Sequence, residues 1–385
     1  MASPEKAPEW RYMLSDVDFD DAEESAVVAV IRSKWLSMGP RTAELEKHFS
    51  AYVGSRFALA TSNCTTALHL AVLAAGVGPG DEVIVPSLSF VATANAVLYA
   101  GAKPVFADIE SLERPLLSAS DVEKKLSPRT RAIIPMHFAG YPCDMDPLLQ
   151  MAKAKNLRII EDDAHAVGSR YSGKACGTLG DVGCFSFFAN KNLPAGEGGM
   201  ITTNDPDLFE AMKRRRSHGM TTLSWDRAKG HSFSYDVVDV GFNFRMPELT
   251  AAVALVQLGK LDAHNAQRDR VFADYVRHLS SLAKLTVPFV GEPAPGARHI
   301  LPVLLREDVD RAMFMQRLRE AGIQSSIHYP PIHRFSHHSK LYADSPPVLP
   351  LTETYASRTV TLPFHPGLRS SDVAQICDAI RAALG

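Results

Sequence analysis

Ile159-Ile-Glu161-Asp162-Asp163-Ala-His165 is the stretch on which the fold turns: two β-branched apolar residues run straight into three acidic side chains and a histidine. A strand that is apolar up to its last residues and then ends in ionisable groups suits a parallel sheet covered on both faces, whose carboxyl ends face a ligand crevice. One of the adjacent aspartates, Asp162 or Asp163, then points into that crevice, while the other caps the following turn. A carboxylate in the crevice can pair with a ring nitrogen and keep it protonated. His165 is open to two readings, structural or catalytic.

Outward from this stretch, β-branched and aromatic runs alternate with helical patterns. Strands are expected at 57–62, 82–86, 104–109, 132–138, 157–161, 184–188 and 200–203, with helices at 65–75, 91–100, 144–155 and 205–216. This alternation predicts an α/β chain with a mostly parallel seven-stranded sheet flanked by helices. A long helical pattern starts at Pro247 and runs towards Leu282, with proline in its first turn. Beyond it come a Pro/Gly-rich connection at 287–296, a strand at 299–305, a helix at 309–321, a His/Pro-rich loop and a last helix at 371–383, the layout of a smaller α+β domain. The division expected is a large domain over 1–260, including the N-terminal segment, and a small C-terminal domain over 261–385.

The 385 residues carry 41 Lys plus Arg against 43 Asp plus Glu, a net charge of −2, which offers no general attraction to nucleic acid or anionic membrane. No apolar run reaches the length of a membrane span, and the first residues lack the basic-then-apolar layout of a signal peptide, so a cytoplasmic location is expected. Five scattered cysteines without a CxxC suggest neither disulfides nor zinc, and His328, His333, His337 and His338 match no zinc spacing. No metal is expected.

Two further stretches carry chemistry. In Phe185-Ser-Phe-Phe-Ala-Asn-Lys191-Asn-Leu-Pro-Ala-Gly-Glu-Gly-Gly199 a strand ends in a loop with a single lysine, followed by glycines that let backbone approach a ligand closely. Lys191 is either a Schiff-base nucleophile with a lowered pKa or a solvated loop residue. In Thr61-Ser-Asn-Cys64-Thr65-Thr66 a strand passes into a helix, whose free N–H groups form either a phosphate site or an ordinary cap. Lys213-Arg-Arg-Arg216 ends a helix, where positive charge meets the dipole, and a structural role is expected for most of it. Gly168-Ser-Arg-Tyr-Ser-Gly173-Lys174-Ala175 approaches a P-loop but lacks the Ser or Thr that would hold Mg²⁺.

A phosphate turn, a strand-end aspartate and a later lysine, in that order, suggest pyridoxal phosphate. The chain resembles the DegT/StrS family of sugar aminotransferases, which has the fold-type-I aminotransferase architecture. The likeness runs from Trp35-Leu-Ser-Met-Gly-Pro40 through Gly80-Asp-Glu-Val-Ile-Val-Pro86, Gly101-Ala-Lys-Pro-Val-Phe106 and Gly241-Phe-Asn-Phe-Arg-Met246 to Leu362-Pro-Phe-His-Pro-Gly-Leu368.

That resemblance implies catalytic roles for Lys191, Asp162 and His165. Lys191 would join the cofactor and move the proton, Asp162 would hold the pyridine nitrogen protonated, and His165 would sit near the phenolic oxygen. It implies that Phe90 stacks on the ring, that Thr65, Thr66 and Ser186 contact the phosphate, and that Asn243 reaches the phosphate of a neighbouring subunit in a homodimer with shared active sites. Cys64 stands in the phosphate turn where many relatives have glycine, and Asp163 replaces a usual alanine and would add charge near the ring. Lysine rather than histidine at 191 separates amino transfer from sugar dehydration.

The implied reaction is ping-pong, from L-glutamate to a nucleotide-linked 4-keto sugar. Residues 218–227 resemble enzymes making 4-amino-4-deoxyarabinose-type sugar nucleotides, so Trp225 and Arg227 either bind substrate or belong to a surface loop, and His328 and Tyr329 are further substrate-binding candidates. The alternatives are a glutamine-dependent keto-inositol aminotransferase and a non-catalytic, cofactor-binding regulatory protein. A nucleic-acid binder using Arg214 to Arg216 is opposed by the net charge.

Overall fold

The computed structural model describes residues 10–222 and 234–385. Helices α1 (Asp21–Ser33) and α2 (Pro40–Val53) precede β1 (Phe57–Thr61), α3 (Cys64–Ala74), β2 (Glu82–Pro86), α4 (Ala92–Tyr99), β3 (Lys103–Ala107), α5 (Ala119–Lys124), β4 (Thr130–Ile133), α6 (Met145–Lys155) and β5 (Arg158–Asp162). A small hairpin, β6 (Arg170–Tyr171) and β7 (Lys174–Ala175), leads to β8 (Val182–Ser186), β9 (Gly199–Thr203), α7 (Pro206–Arg216) and the 32-residue α8 (Glu248–Leu279). The chain ends with β10 (Leu285–Thr286), β11 (Leu301–Leu305), α9 (Arg311–Glu320), α10 (Ser336–Leu341), α11 (Pro350–Arg358), β12 (Thr359–Leu362) and α12 (Ser370–Leu384).

The seven expected strands form one sheet in the order β1-β9-β8-β5-β4-β2-β3. Only β9 runs antiparallel to its neighbours. β5 lies centrally between β4 and β8, so Asp162 at its end opens on the middle of the carboxyl edge. Strands β2, β8 and β9 are buried along their whole length, as a sheet covered on both faces requires. Among the described residues, no helix is long and apolar enough to cross a membrane.

The expected boundary at residue 260 falls inside α8, which packs on two cores. Ala251, Ala254 and Leu261 join Phe185, Phe187 and Met200 against the large sheet. Val271, Tyr275 and Leu279 instead pack on the three-stranded sheet β10-β11-β12.

The N-terminal helices were not among the expected elements. For α1 the signal is local: Asp20 caps the helix and Glu23 reaches back to the Asp20 amide, a capping box. For α2 the proline at its first position is local but the cap is not, because Gly39 at its N-cap has no side chain to cap with. Glu248, about two hundred residues later, accepts hydrogen bonds from the Gly39, Arg41 and Thr42 amides and from the Thr42 hydroxyl. The first turn of α8 thereby ties the N-terminal segment to the large sheet.

Candidate active site

The carboxyl ends of β5 and β8 and the amino end of α3 open on one cavity of about 420 Å³. Its wall includes Cys64, Thr65, Phe90, Asp162, His165, Ser186, Lys191, His328 and Tyr329. The last two come from the loop between α9 and α10, so the C-terminal third of the chain closes a pocket that the large sheet begins.

Asp162 is buried at the end of β5. Its Oδ2 accepts from the Thr93 hydroxyl at 2.7 Å and its Oδ1 from the Ala164 amide at 3.2 Å. Burial pushes its pKa up, while the two donors and the nearby Lys191 pull it back. Asp163 does not add charge beside the cavity as expected. It sits in the buried cluster of His137, Glu161 and Cys176, away from the cavity wall, and burial with the repulsion of Glu161 pushes its pKa well up. The physical reason is strand alternation, which sends neighbouring side chains to opposite sides.

The donor atoms of those four residues lie within 4.8 Å of one another. His137 Nδ1 accepts the Cys143 amide at 3.1 Å, so its ring proton is on Nε2, which donates to Glu161 at 3.1 Å. The same carboxylate accepts the amides of Gly177, Leu179 and Gly180. Glu161 and His137 thus work as a buried brace between β5 and the turn before β8.

Lys191 is partly exposed and directs Nζ into the cavity, where burial lowers its pKa to about 8 against the opposing charge of Asp162. Its Nζ lies 3.3 Å from His299 Nε2. His165 Nδ1 accepts the Ala139 amide, leaving Nε2–H to donate to the Tyr329 hydroxyl at 2.9 Å. Burial, together with Lys191 and His299, holds His165 well below the usual histidine range, so it is neutral.

At the amino end of α3, Asn63 Oδ1 caps the Thr66 amide, which leaves the Cys64 and Thr65 amides without intrahelical acceptors at the cavity edge. A Cβ on Gly199 would lie 2.5 Å from the Asn63 carbonyl carbon and 2.7 Å from the Cys64 nitrogen. This glycine admits the backbone of the phosphate-type turn, not a ligand as the sequence suggested.

The model of the DegT/DnrJ/EryC1/StrS aminotransferase family matches residues 17–381. This chain belongs to that family. It is 41% identical over 372 residues to GDP-perosamine synthase of Caulobacter vibrioides, covering 95% of this chain and 96% of the relative. PseC of Helicobacter pylori, an aminotransferase involved in the biosynthesis of pseudoaminic acid, superposes with a TM-score of 0.90 at 28% identity, covering 97% and 99% of the two chains. The PLP form of the putative sugar aminotransferase Spr1654 of Streptococcus pneumoniae gives 0.87 at 28% identity, covering 96% and 98%.

As a DegT/DnrJ/EryC1/StrS family member the chain is an aminotransferase that depends on pyridoxal phosphate. The cavity fits that group chemically. It offers a held carboxylate for a ring nitrogen, an amine of lowered pKa for an aldehyde, and hydroxyls of Thr65 and Ser186 with free helix amides for a phosphate.

Not every expected residue reaches the cavity of this chain. The Thr66 hydroxyl turns back onto the Asn63 carbonyl at 2.8 Å, because at the third helical position it lies over its own cap. Asn243 is exposed on an isolated bridge to Ser217, away from the cavity lining. Trp225 and Arg227 lie outside the described residues. Arg215 and Arg216 are occupied structurally, by Asp239 and by Glu46 and the Ala60 carbonyl. Sequence reasoning missed Thr93, Asn192 and His299; each is an ordinary residue locally and gains its place only from contacts distant in sequence.

Proposed function

We propose that this family member transfers an amino group from L-glutamate to a nucleotide-linked 4-keto sugar by a ping-pong mechanism, in a cytoplasmic homodimer. The observation that carries the reading is a lysine of lowered pKa and a buried aspartate in one cavity with a helix N-terminus. The likeness to a GDP-perosamine synthase supports a nucleotide-linked sugar as acceptor.

The cofactor, when bound, supplies the electron sink that makes a proton at the amino-bearing carbon removable. The protein supplies position and charge. Asp162, braced by Thr93 and the Ala164 amide, presents a carboxylate to the ring nitrogen. The Cys64 and Thr65 amides, with the Thr65 and Ser186 hydroxyls, hold the phosphate at the positive end of α3. Phe90, 58% exposed at the cavity mouth, offers an aromatic face to the ring. Lys191 Nζ takes the proton from the substrate carbon and returns it on the other side of the transfer; its pKa of about 8 leaves a usable neutral fraction near pH 7. His165 and Tyr329 supply one hydroxyl–imidazole pair to the polar edge of the ring, and His328, lowered to about 4 by burial and Lys191, contributes a neutral imidazole to the substrate side.

The dimer accounts for Asn243. It is exposed directly after a run of outward-facing apolar side chains, Val237 at 54%, Val238 at 56% and Val240 at 79%, a patch suited to a second subunit. In that arrangement Asn243 serves the partner's phosphate turn.

Purified holoenzyme offered L-glutamate or L-glutamine, then a nucleoside diphosphate 4-keto-hexose, the matching pentose or a keto-inositol, tests the reading. Glutamate should abolish the cofactor's absorbance band and the 4-keto sugar should restore it. Restoration by keto-inositol alone after glutamine would establish cyclitol amination instead, and a band indifferent to every donor would leave a regulatory protein.

A further inference from the structure

Asn192, next to the lysine, is 3% exposed and fully committed. Its Nδ2 donates to Asn265 Oδ1 at 2.8 Å and to the Arg298 carbonyl at 3.0 Å, so its Oδ1 is the end that meets His299 Nδ1 at 3.0 Å. Asn265 is oriented in turn, because its own Nδ2 donates to the Val167 carbonyl at 3.2 Å. An amide oxygen can only accept, hence His299 carries its proton on Nδ1. A neutral ring has one such proton. The bare Nε2 therefore faces Lys191 Nζ, 3.3 Å away.

We propose that His299 is a positioning residue for Lys191, a hydrogen-bond acceptor locked in one tautomer by the chain Val167–Asn265–Asn192, which holds the amine in place whenever it is not covalently engaged. The inference rests on the reading of Lys191 as the reacting amine. A lysine on four freely rotating carbons has no preferred return position, and one fixed acceptor gives it one. The surroundings keep that acceptor neutral: burial comes first, then Lys191, Arg268 and His328, all lowering the His299 pKa well below its usual value. The His165 ring, centred 4.3 Å from that of His299, has the opposite tautomer and turns its proton to Tyr329. The two imidazoles thus divide the work: one donates to the tyrosine and the other accepts from the lysine. Neither gains nor loses a proton in doing so.

The test uses holoenzyme reconstituted with pyridoxamine phosphate, in which the Lys191 amine is free, and competitive acetylation with acetic anhydride across pH 6 to 10. Peptide mass spectrometry reads the labelling midpoint of Lys191. His299→Leu removes the acceptor and leaves the ammonium less well solvated, so the midpoint should fall by about one unit from its wild-type value, with kcat reduced about 30-fold and KM little changed. His299→Gln, which can present an amide oxygen near the Nε2 position, should recover the midpoint and most of kcat. Should the leucine variant fail to fold, Asn192→Leu keeps His299 but frees its tautomer, and should move both quantities in the same direction by less. A wild-type midpoint and kcat in His299→Leu, or in Asn192→Leu where that variant stands in, would overturn the proposal. If borohydride-reduced wild-type enzyme carries the cofactor at another lysine, it is the reading of Lys191 that fails.

Discussion

Thr93 Oγ1 donates to Asp162 Oδ2 at 2.7 Å across 69 residues of sequence, and Ser89 Oγ lies 2.7 Å from the same threonine hydroxyl. With its one proton committed to the carboxylate, Thr93 accepts from Ser89. The strand-end aspartate is therefore aimed by the start of α4, an element on the other side of the sheet order from β8 and its lysine.

Thr93→Val keeps the shape and removes the donor, so Asp162 loses a partner for a buried oxygen at a cost of about 1–3 kcal/mol. The Asp162 pKa should rise further and its grip on the ring nitrogen weaken. Turnover about tenfold or more below wild type, with a cofactor released more readily on dialysis, is expected; wild-type values for both would show that Thr93 is mere packing.

Lys191→Ala should retain the fold by circular dichroism and abolish transamination. Borohydride reduction followed by peptide mapping should mark position 191 in the wild type and nothing in the variant. Normal turnover in the variant would refute the assignment.

Asp162→Asn replaces the carboxylate by an amide that cannot hold a ring nitrogen protonated, and a loss in kcat of roughly 10²–10³ is expected for removal of one such electrostatic partner. Asp163→Asn, which alters a residue absent from the cavity wall, should leave kcat within about threefold. The reverse ranking in a steady-state assay would exchange the two aspartates.

Gly199→Ala places a methyl 2.5 Å from the Asn63 backbone. Backbone cannot step aside as a flexible side chain does, so an overpacking penalty of about 1–3 kcal/mol is expected together with a disturbed turn at Cys64 and Thr65. Denaturant melts and a phosphate-competition assay for cofactor affinity should both respond. An unchanged affinity would separate this glycine from the phosphate turn.

The lowered pKa of Lys191 also fixes a pH dependence of stability for the cofactor-free protein. Between about 8 and the ordinary 10.5 the unfolded chain keeps a proton that the folded chain has released. The unfolded state then binds more protons, so folding gains stability as pH rises through that window, and the penalty for burying the charged amine is fully present below it. Denaturation of wild type and Lys191→Met at pH 7.5 and 9.5 should show the variant's advantage shrinking at the higher pH. A difference that stays flat would mean that Nζ is better solvated than its burial implies.

The seven strands were legible because each is a short β-branched run between turn signals, and their alternation with helices leaves little topological choice. The ends were less so: the strand expected at 132–138 stops at Ile133, and the next residues pass into a bridge to Asp162 and a turn with Ala139 at φ +57°. Lys191, Asp162, His165 and the Cys64 turn stood out as polar groups at strand ends and helix starts. His299 did not, since one histidine ahead of a strand has no local mark.

What the sequence determined by itself is the set of elements and the residues at their ends, because period, turn chemistry and capping are written within a few neighbours. It also carried the family, through motifs spread along the chain. What only the tertiary structure decided is which of those residues face one another: Glu248 capping α2, Thr93 aiming Asp162, Asp163 turned away from the cavity towards His137 and Cys176, and His299 set against the lysine. Hydrogen bonds and burial act through space at about 3 Å, and chain separations from 24 residues in the buried cluster to 209 between Gly39 and Glu248 leave no trace of them in local pattern.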